Sequence, residues 1–276
     1  MEEILKLKNA NLDNPGIYYS YNTTIKTYAN GEVKLQHKSY DTFKGFPAPK
    51  KSGGVLDEEE RERLRIKNTY KAKQNLIDLA YHNSLIEPWE YFFTLEFDSN
   101  RIDYKDFSLV SEELSKFIDN LKHQNKNMKY LLVPEYHPKT GGFHFHGLFA
   151  NVPNLKLTAA INPHNGNNIY QNGSQIFNIS NYRLGFTTVS KIKNQEAVSV
   201  YISKYMTKDL IDLHYKKKYW RSKNLELPKV EYAQFDEENL KFYIDKFKIK
   251  DEYIKDTEFS RSYYYRLEQI VNWRLT

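Results

Sequence analysis

The sequence predicts an α+β protein in which helices pack on an antiparallel sheet. Runs of aromatic and β-branched residues, which favour strands, alternate along the chain with capped or amphipathic helical segments. The resulting order is hairpin, helix, strand, helix, hairpin, strand and helix. Strands joined by short turns pair antiparallel, and the helices between them are expected to cover the sheet.

The N-terminal part is predicted to form a hairpin followed by a long helix. Residues 24–28 and 32–37 flank Asn30-Gly31, a favoured two-residue turn. Asp57 opens the helix, and three glutamates occupy its first turn, where the helix dipole favours anions. A run of basic residues follows: Arg61, Arg63, Arg65, Lys67, Lys71 and Lys73. Such a run either lies along a phosphate backbone or forms a solvated face.

The central part is predicted to supply the sheet. The expected strands are 91–97, 130–136, 143–149 and 186–189, and the second and third are joined by a turn at 138–142. Ser111 is expected to cap a helix whose apolar residues share one face. Residues 151–180 are expected to be an irregular insertion with helical potential near 155–161. Asn194 is expected to cap a helix from Gln195 to about Leu210.

The composition excludes several classes of protein. The chain has 276 residues and no cysteine, so disulfide scaffolds and cysteine zinc sites are ruled out. No apolar run approaches the roughly 20 residues that span a bilayer, and the N-terminus is not a secretory signal, so a soluble cytoplasmic protein is expected. No Gly-x-x-x-x-Gly-Lys-Ser/Thr sequence is present, which excludes a P-loop module.

The charge and the aromatic content lean weakly toward nucleic acid. The net charge is +6 with a pI near 9.0, and the chain contains 23 tyrosines and 16 phenylalanines. Cations neutralise phosphates and aromatic rings stack on bases. The same composition also results from an AT-rich genome, so it does not decide the function.

A candidate metal site lies in the predicted hairpin. His144 and His146 are two residues apart on a strand and therefore face the same side, with Gly142 and Gly147 leaving room beside them. Glu135 on the neighbouring strand can complete a three-ligand site, and His137 is a rival third ligand. Such a site suits Mn or Mg acting on phosphates, although zinc is also possible. The alternative is ordinary packing.

A second cluster lies on the helix expected after Asn194. At helical spacing Tyr201, Tyr205 and Lys208 share one face, and Lys204 lies beside them. A phenol is a weak nucleophile at neutral pH, and a nearby ammonium favours its phenolate. The alternative is that these tyrosines pack the helix on the sheet.

These motifs, in this order, make residues 88–228 resemble the HUH endonucleases, specifically the rolling-circle replication initiators of plasmids and single-stranded DNA phages. Phe93-Thr94-Leu95-Glu96-Phe97 is similar to the first motif of that family, and residues 201–208 are similar to its nucleophile motif. Glu135 and His144-Phe145-His146 resemble its metal motif. Residues 219–225 resemble a segment that follows the tyrosine in phage-type initiators.

The resemblance implies a five-stranded antiparallel sheet with flanking helices, close to the RNA-recognition-motif layout. A divalent metal, Mn or Mg, on Glu135, His144 and His146 would polarise a phosphate of single-stranded origin DNA. Tyr201 would attack it, leaving a 5′-phosphotyrosine link and a 3′-hydroxyl primer, and Tyr205 would act second, in strand transfer or termination. Lys204 and Lys208 would assist. A host helicase and polymerase would complete replication.

Three parts of the chain are expected: an accessory hairpin and basic helix at 1–87, the nickase core at 88–228 and a helical extension at 229–276. A further basic and aromatic segment is predicted to bind DNA: Lys216, Lys217, Lys218, Trp220 and Arg221. The alternatives are a transposase or relaxase of the same chemistry, a metal-dependent hydrolase that uses water, and a non-catalytic nucleic-acid-binding protein stabilised by zinc.

Overall fold

The computed structural model describes residues 19–44, 57–137, 139–206, 218–247, 249–257 and 260–267. The helices are α1 (Glu58–Ile86), α2 (Phe107–Gln124), α3 (Gln195–Tyr201) and α4 (Glu237–Phe247), and a 3-10 helix (Ile202–Tyr205) continues α3. The strands are β1 (Tyr19–Thr27), β2 (Val33–Lys44), β3 (Tyr91–Leu95), β4 (Lys129–His137), β5 (Gly142–Ala150), β6 (Leu157–Ala159), β7 (Tyr170–Gln171), β8 (Ser174–Gln175), β9 (Phe177–Ile179), β10 (Thr187–Lys191), β11 (Trp220–Arg221), β12 (Lys229–Ala233), β13 (Ile249–Thr257) and β14 (Ser260–Leu267).

The chain divides into two units. The larger comprises residues 57–227, and the smaller combines residues 1–56 with residues 228–276. The predicted division at residues 87 and 228 joins α1 to the N-terminal hairpin, whereas the structure groups α1 with the larger unit. The reason is that Leu76 and Leu79 of α1 are buried against the sheet of that unit. The predicted division stays a prediction about separable segments.

The larger unit contains an antiparallel sheet, as predicted, but its strand count is seven. The order is β11-β4-β5-β3-β10-β9-β6, and every neighbouring pair is antiparallel. The expected count of five is therefore not exact. The additional strands are short edge strands, since β11 has two residues while β6 and β9 have three each.

Both faces of this sheet are buried, because successive side chains along a strand point to opposite sides. The first face packs on α1, α3 and the 3-10 helix through Leu131, Val133 and Leu148. The second face packs on α2 through Phe93 and Phe145. The helices thus cover the central strands from both sides, which fits the α+β layering that the sequence predicts.

The smaller unit is a second antiparallel sheet with the order β12-β1-β2-β14-β13. The predicted hairpin forms from β1 and β2, and Gly31 supplies the left-handed φ of 84° in its turn. Helix α4 packs on one face of the sheet, where Leu240 joins Ile25 and Leu35 in a small core.

Two helix starts follow the capping rules, one of them not as predicted. Asp57 caps α1, and its side chain accepts a hydrogen bond from the Glu60 backbone N–H at 2.7 Å. Helix α2, however, begins at Phe107 and is capped by Asp106, so the prediction that Ser111 is the cap was wrong. Phe107 is buried in the apolar core, which explains why the helix includes the preceding turn.

Two other segments differ from expectation. Residues 151–180 contain the short strands β6 to β9 and no helix near 155–161. Strands of two or three residues leave no detectable periodicity in the sequence. The C-terminal part, expected to be helical, contains β12, β13 and β14 around α4. Within the described residues, no helix has the length and apolar character needed to cross a membrane.

Candidate active site

The first face of the larger sheet carries the acidic and imidazole residues of the predicted metal motif. Strands β4 and β5 pair so that Glu135 lies opposite His144, and β3 pairs with β5 so that Thr94 lies opposite His146. Residues directly opposite in an antiparallel pair share a face, and residues two apart on one strand do so as well. The two histidines, the acid and the threonine hydroxyl therefore lie on one side of three adjacent strands.

His146 is held at both ring nitrogens. Its Nε2 lies 2.8 Å from Glu135 Oε2, and its Nδ1 lies 3.0 Å from Thr94 Oγ1. The side chain is buried, with a residue exposure of 6%. A buried imidazole with two hydrogen-bonding partners has a fixed ring orientation. The contact between Glu135 and His146 brings together two of the three predicted ligands.

The electrostatics of this pair favour a carboxylate beside a neutral imidazole. Burial lowers the pKa of His146 and outweighs the opposing effect of its hydrogen bond to Glu135. The hydrogen bond with His146 lowers the pKa of Glu135 below its ordinary value, against the opposing effect of burial. These are the protonation states that a metal ligand requires.

The third predicted ligand is less closely engaged. His144 lies opposite Glu135, and its ring centroid is 6.0 Å from that of His137, the rival ligand. The Nδ1 atom of His137 is buried with no hydrogen-bond partner among the described residues. The donors fit a divalent cation in kind, and an unsatisfied nitrogen lies beside them. Across the described ranges, no three acidic or histidine side chains are gathered closely enough to hold an ion.

Helix α3 is fixed to the sheet by its first residues. Asn194 caps it, because its Oδ1 accepts a hydrogen bond from the Ala197 N–H at 2.8 Å. The Gln195 side chain forms two hydrogen bonds with the backbone of Trp89, two residues before β3. Trp89 itself donates from its indole to the Ala80 carbonyl of α1 at 2.9 Å. The predicted cap is correct, and these bonds orient the tyrosines that follow.

The two tyrosines and the lysine of the predicted nucleophile motif contact one another. The Lys204 ammonium donates a hydrogen bond to the Tyr201 hydroxyl, and the Tyr205 hydroxyl donates to the same oxygen at 3.0 Å. Lys204 Nζ also lies 3.7 Å from the Tyr201 ring centroid. Tyr201 is 44% exposed, whereas Tyr205 is 8% exposed. One phenol oxygen therefore receives two donors and remains accessible.

Tyr205 joins the tyrosine cluster to the histidine. Its ring stacks on the His146 ring with centroids 3.5 Å apart and an interplanar angle of 11°. Phe92 of β3 packs edge-on against Tyr201 with centroids 5.5 Å apart. A continuous chain of contacts thus runs from Glu135 through the histidine and Tyr205 to Tyr201. This chain, from Glu135 to Lys204, is called the contact chain below.

The environments of the two phenols separate their acidities. Burial raises the pKa of Tyr201, but the hydrogen bonds from Lys204 and Tyr205 outweigh it, so the net pKa is lowered from its ordinary value. Burial, with its hydrogen bond to Tyr201, raises the pKa of Tyr205. Of the two, Tyr201 is the one that forms a phenolate more readily.

The remaining predicted residues are distributed outside the contact chain. Lys208, Lys216 and Lys217 lie outside the described residues. Lys218 is half-buried, and burial lowers the pKa of its amine, while Arg221 is exposed.

Trp220 has a packing role in the structure. Its ring is 5.3 Å from that of Phe145 and 5.9 Å from that of Phe107, measured between centroids. The residue belongs to β11, where it lies opposite Leu132 on the second face of the sheet. The binding role predicted for it remains a prediction, and this placement accounts for the residue without one.

The room predicted beside the histidines is taken up by protein atoms. A Cβ on Gly142 would lie 2.0 Å from the Tyr104 ring. A Cβ on Gly147 would lie 2.4 Å from the Leu131 carbonyl oxygen and 2.5 Å from Phe93 Cζ. Both glycines therefore admit neighbouring side chains or backbone rather than a ligand.

Three residues of the site escaped sequence reasoning as site residues. Thr94, quoted only as part of a motif, holds His146, Phe92 contacts Tyr201, and Gln195 anchors α3. The position of Thr94 next to the central strand of the sheet was readable from the strand pattern. Its pairing with His146 was not, because strand order and register come from tertiary contacts.

Fold and site together define an α+β protein with a candidate tyrosine nucleophile on a helix packed against a histidine–carboxylate pair. Residues 90–210 match the family model described as Replication-associated protein ORF2, a family of rolling-circle replication initiators. The matched segment runs from just before β3 to beyond the 3-10 helix and so includes every residue of the contact chain. No curated protein and no solved structure matches the chain.

Proposed function

We propose that this protein initiates rolling-circle replication by nicking one strand of origin DNA with Tyr201 as the nucleophile. The observation that carries the proposal is the exposed Tyr201 hydroxyl, which accepts hydrogen bonds from Lys204 and Tyr205. The match of the surrounding segment to a family of replication initiators supports the substrate class. The activity is therefore that of a DNA endonuclease and strand transferase.

The reaction balances without an added energy source. The Tyr201 phenolate attacks the phosphorus of a phosphodiester, and the bond from phosphorus to the 3′ oxygen breaks. The phenol proton passes to solvent, and the leaving oxygen takes up a proton to become a 3′-hydroxyl. One phosphodiester is exchanged for another, so the reverse attack by a 3′-hydroxyl rejoins the strand and frees the tyrosine. The missing P-loop is consistent with this energetics.

Lys204 and Tyr205 prepare the nucleophile. The ammonium and the second phenol donate hydrogen bonds to the Tyr201 oxygen, which stabilises the phenolate. Tyr205 is the proposed second nucleophile, used for transfer or termination, because its oxygen lies 3.0 Å from that of Tyr201. Transfer between the two requires only a small shift of the phosphate.

A divalent cation, Mn or Mg, is proposed on Glu135, His144 and His146. When bound, it would withdraw charge from the non-bridging oxygens of the scissile phosphate. Thr94 would fix the imidazole by accepting the Nδ1 proton, which leaves the Nε2 lone pair directed at Glu135. Two acceptors 2.8 Å apart repel unless a proton or a cation lies between them. The substrate would be single-stranded, and a helicase and a polymerase of the host would unwind and extend it.

The nicking proposal is tested by covalent capture. Incubated with Mn²⁺ and labelled single-stranded oligonucleotides from the neighbouring intergenic DNA, the full chain is expected to form an adduct that survives denaturing electrophoresis. Tyr201→Phe is expected to abolish it, whereas Tyr170→Phe, at an exposed tyrosine outside the contact chain, is expected to leave it unchanged. Cleavage without an adduct would instead identify a hydrolase that uses water, and an adduct with Tyr201→Phe would refute the assignment.

The metal proposal has its own measurement. His144→Ala and His146→Ala are each expected to lower adduct formation at least about 100-fold while retaining DNA binding. Titration of Mn²⁺ followed by electron paramagnetic resonance is expected to show one bound ion in the wild type and weaker binding in both variants. His123→Ala, at an exposed residue of α2, is the matched control. Unchanged Mn²⁺ affinity in both ligand variants would refute the site.

A further inference from the structure

The smaller unit has a sheet face that differs sharply from the one beneath α4. On the α4 side, Ile25 and Leu35 are buried at 2% and 0% exposure. The residues alternating with them are all half-buried and form the other side: Thr24 and Lys26 of β1, Lys34, Gln36 and Lys38 of β2, and Tyr232 of β12. We call this second side the lysine face. Among the described residues of this unit, α4 is the one helix, and it packs on the opposite side.

Register shows that the lysine face is continuous across strands. Lys26 lies opposite Lys34, Thr24 lies opposite Gln36, and Tyr232 lies opposite Thr24 on the other neighbour. Directly opposite residues of antiparallel strands share a face. Cations therefore occupy adjacent strands at matching height, a spacing that costs like-charge repulsion unless an anion lies across them.

Aromatic rings are interleaved with these cations. The Tyr21 and Tyr232 rings pack edge-to-face with centroids 4.6 Å apart. Lys38 Nζ lies 5.7 Å from the Tyr21 ring and 5.5 Å from the Tyr40 ring, and it donates a hydrogen bond to Thr42 Oγ1. Tyr40 is 46% exposed. Rings held at a cationic sheet surface provide stacking positions for planar bases.

The backbone register carries the same composition onto the next two strands. The residues of β14 that stand opposite Lys38, Gln36 and Lys34 are Ser262, Tyr264 and Arg266. In β13, Lys255 stands opposite Ser262, and Lys250 stands opposite Arg266. All of these positions hold basic, aromatic or small polar residues, so the sequence pattern spans the sheet.

We propose that the lysine face binds single-stranded DNA, as a binding surface distinct from the contact chain. Lysines across adjacent strands match the repeating negative charge of a sugar–phosphate backbone. Interleaved tyrosines match unpaired bases, whose faces are available for stacking, whereas a duplex hides them. The proposal rests on the proposed function only for the choice of DNA as the polymer.

The test uses the full chain and fluorescence anisotropy with a labelled oligo(dT) of about 20 nucleotides. Lys26, Lys34 and Lys38 are replaced together by glutamine. The matched control replaces three exposed lysines by glutamine in and beside α2: Lys116, Lys122 and Lys126. The lysine-face variant is expected to bind at least about tenfold more weakly. The slope of log affinity against log salt is expected to fall by about 2, because each phosphate that is no longer neutralised accounts for roughly 0.7. The control is expected to match the wild type.

A second variant separates stacking from charge. Tyr40→Ala is expected to weaken oligo(dT) binding about fivefold or more, from the loss of base stacking, with the salt slope unchanged. Circular dichroism and the Tm verify that each variant is folded. A folded lysine-face variant with the affinity and salt slope of the control would overturn the proposal, as would equal or tighter binding of a duplex of the same length.

Failure of this proposal is distinguishable from failure of the nicking proposal. With saturating oligonucleotide, the lysine-face variant is expected to form the covalent adduct as the wild type does. Tyr201→Phe is expected to lose the adduct and keep the wild-type affinity for oligo(dT). The two surfaces are thus scored by different signals on the same set of proteins.

Discussion

At the scale of single residues, environment separates two chemically identical side chains. Tyr201 and Tyr205 are one helical turn apart, yet one is 44% exposed and the other 8% exposed. The buried phenol donates its proton to the exposed one and stacks on His146. Accessibility and hydrogen-bond direction together favour Tyr201 as the group that meets a phosphate first.

Lys204 is predicted to control the pH at which Tyr201 reacts. The active form is the phenolate, and Lys204 lowers the pKa of Tyr201, so more phenolate exists at a given pH. Lys204→Met is expected to raise that pKa, to slow adduct formation at neutral pH about tenfold for each pKa unit, and to move the rise of the rate with pH upward.

Single-turnover adduct formation measured across pH checks this prediction. Lys204→Arg retains the charge and is expected to keep a profile close to that of the wild type. A Lys204→Met profile that superimposes on the wild-type profile would show that the ammonium does not act on the phenol.

The sequence predicted most of these residues but not their partners. Spacing alone placed His144 and His146 on one face and Tyr201 with Tyr205 on one helix face. It could not predict that His146 takes the Glu135 contact while His144 does not, because the contact depends on side-chain conformations across two strands. The stack of Tyr205 on His146 depends in turn on how α3 docks.

At the scale of elements, β5 shows how strand alternation serves site and core together. Its histidines lie on the first face, and its phenylalanines Phe143, Phe145 and Phe149 lie in the core against α2. Gly147, between the two, is where the Phe93 ring and the Leu131 carbonyl come closest to the strand. The strand pattern was predictable, whereas the need for glycine was not, because it arises from neighbouring strands.

Gly147→Ala is therefore predicted to destabilise the protein without touching the contact chain. The added Cβ would lie 2.4 Å from a backbone oxygen, so the strands must shift. The free energy of unfolding is expected to fall by about 1–3 kcal/mol, measured by urea denaturation. Lys126→Ala, at an exposed position, is expected to stay within about 0.5 kcal/mol of the wild type. A Gly147→Ala protein of unchanged stability would contradict the close packing.

Helices with strong local signals were predicted better than short strands. Asp57 and Asn194 were correctly expected to be caps, because their side-chain bonds are local. The strands between residues 157 and 179 were missed, because each has only two or three residues and is held by partners elsewhere in the sheet. Local signals predict local structure, and edge strands depend on distant pairing.

At the scale of the whole molecule, the chain leaves one unit and later returns to it. Strand β1 pairs with β12, so that Thr23 lies opposite Ala233, and the Asn22 side chain bonds the Phe235 backbone twice. Pairing between strands so far apart in sequence leaves no trace in the hydrophobic pattern. This is why the sequence predicted an accessory N-terminal part and a helical C-terminal extension rather than one shared sheet.

The central claim is that Tyr201 becomes covalently linked to the 5′ phosphate of a nicked strand. The most direct measurement is mass spectrometry of the adduct, after nuclease and protease digestion, to find the residue that carries the nucleotide. We expect a phosphonucleotide on Tyr201 after the first cleavage, with Tyr205 modified only when a second strand is supplied. Modification of Tyr205 alone, or of a residue outside the contact chain, would contradict the claim.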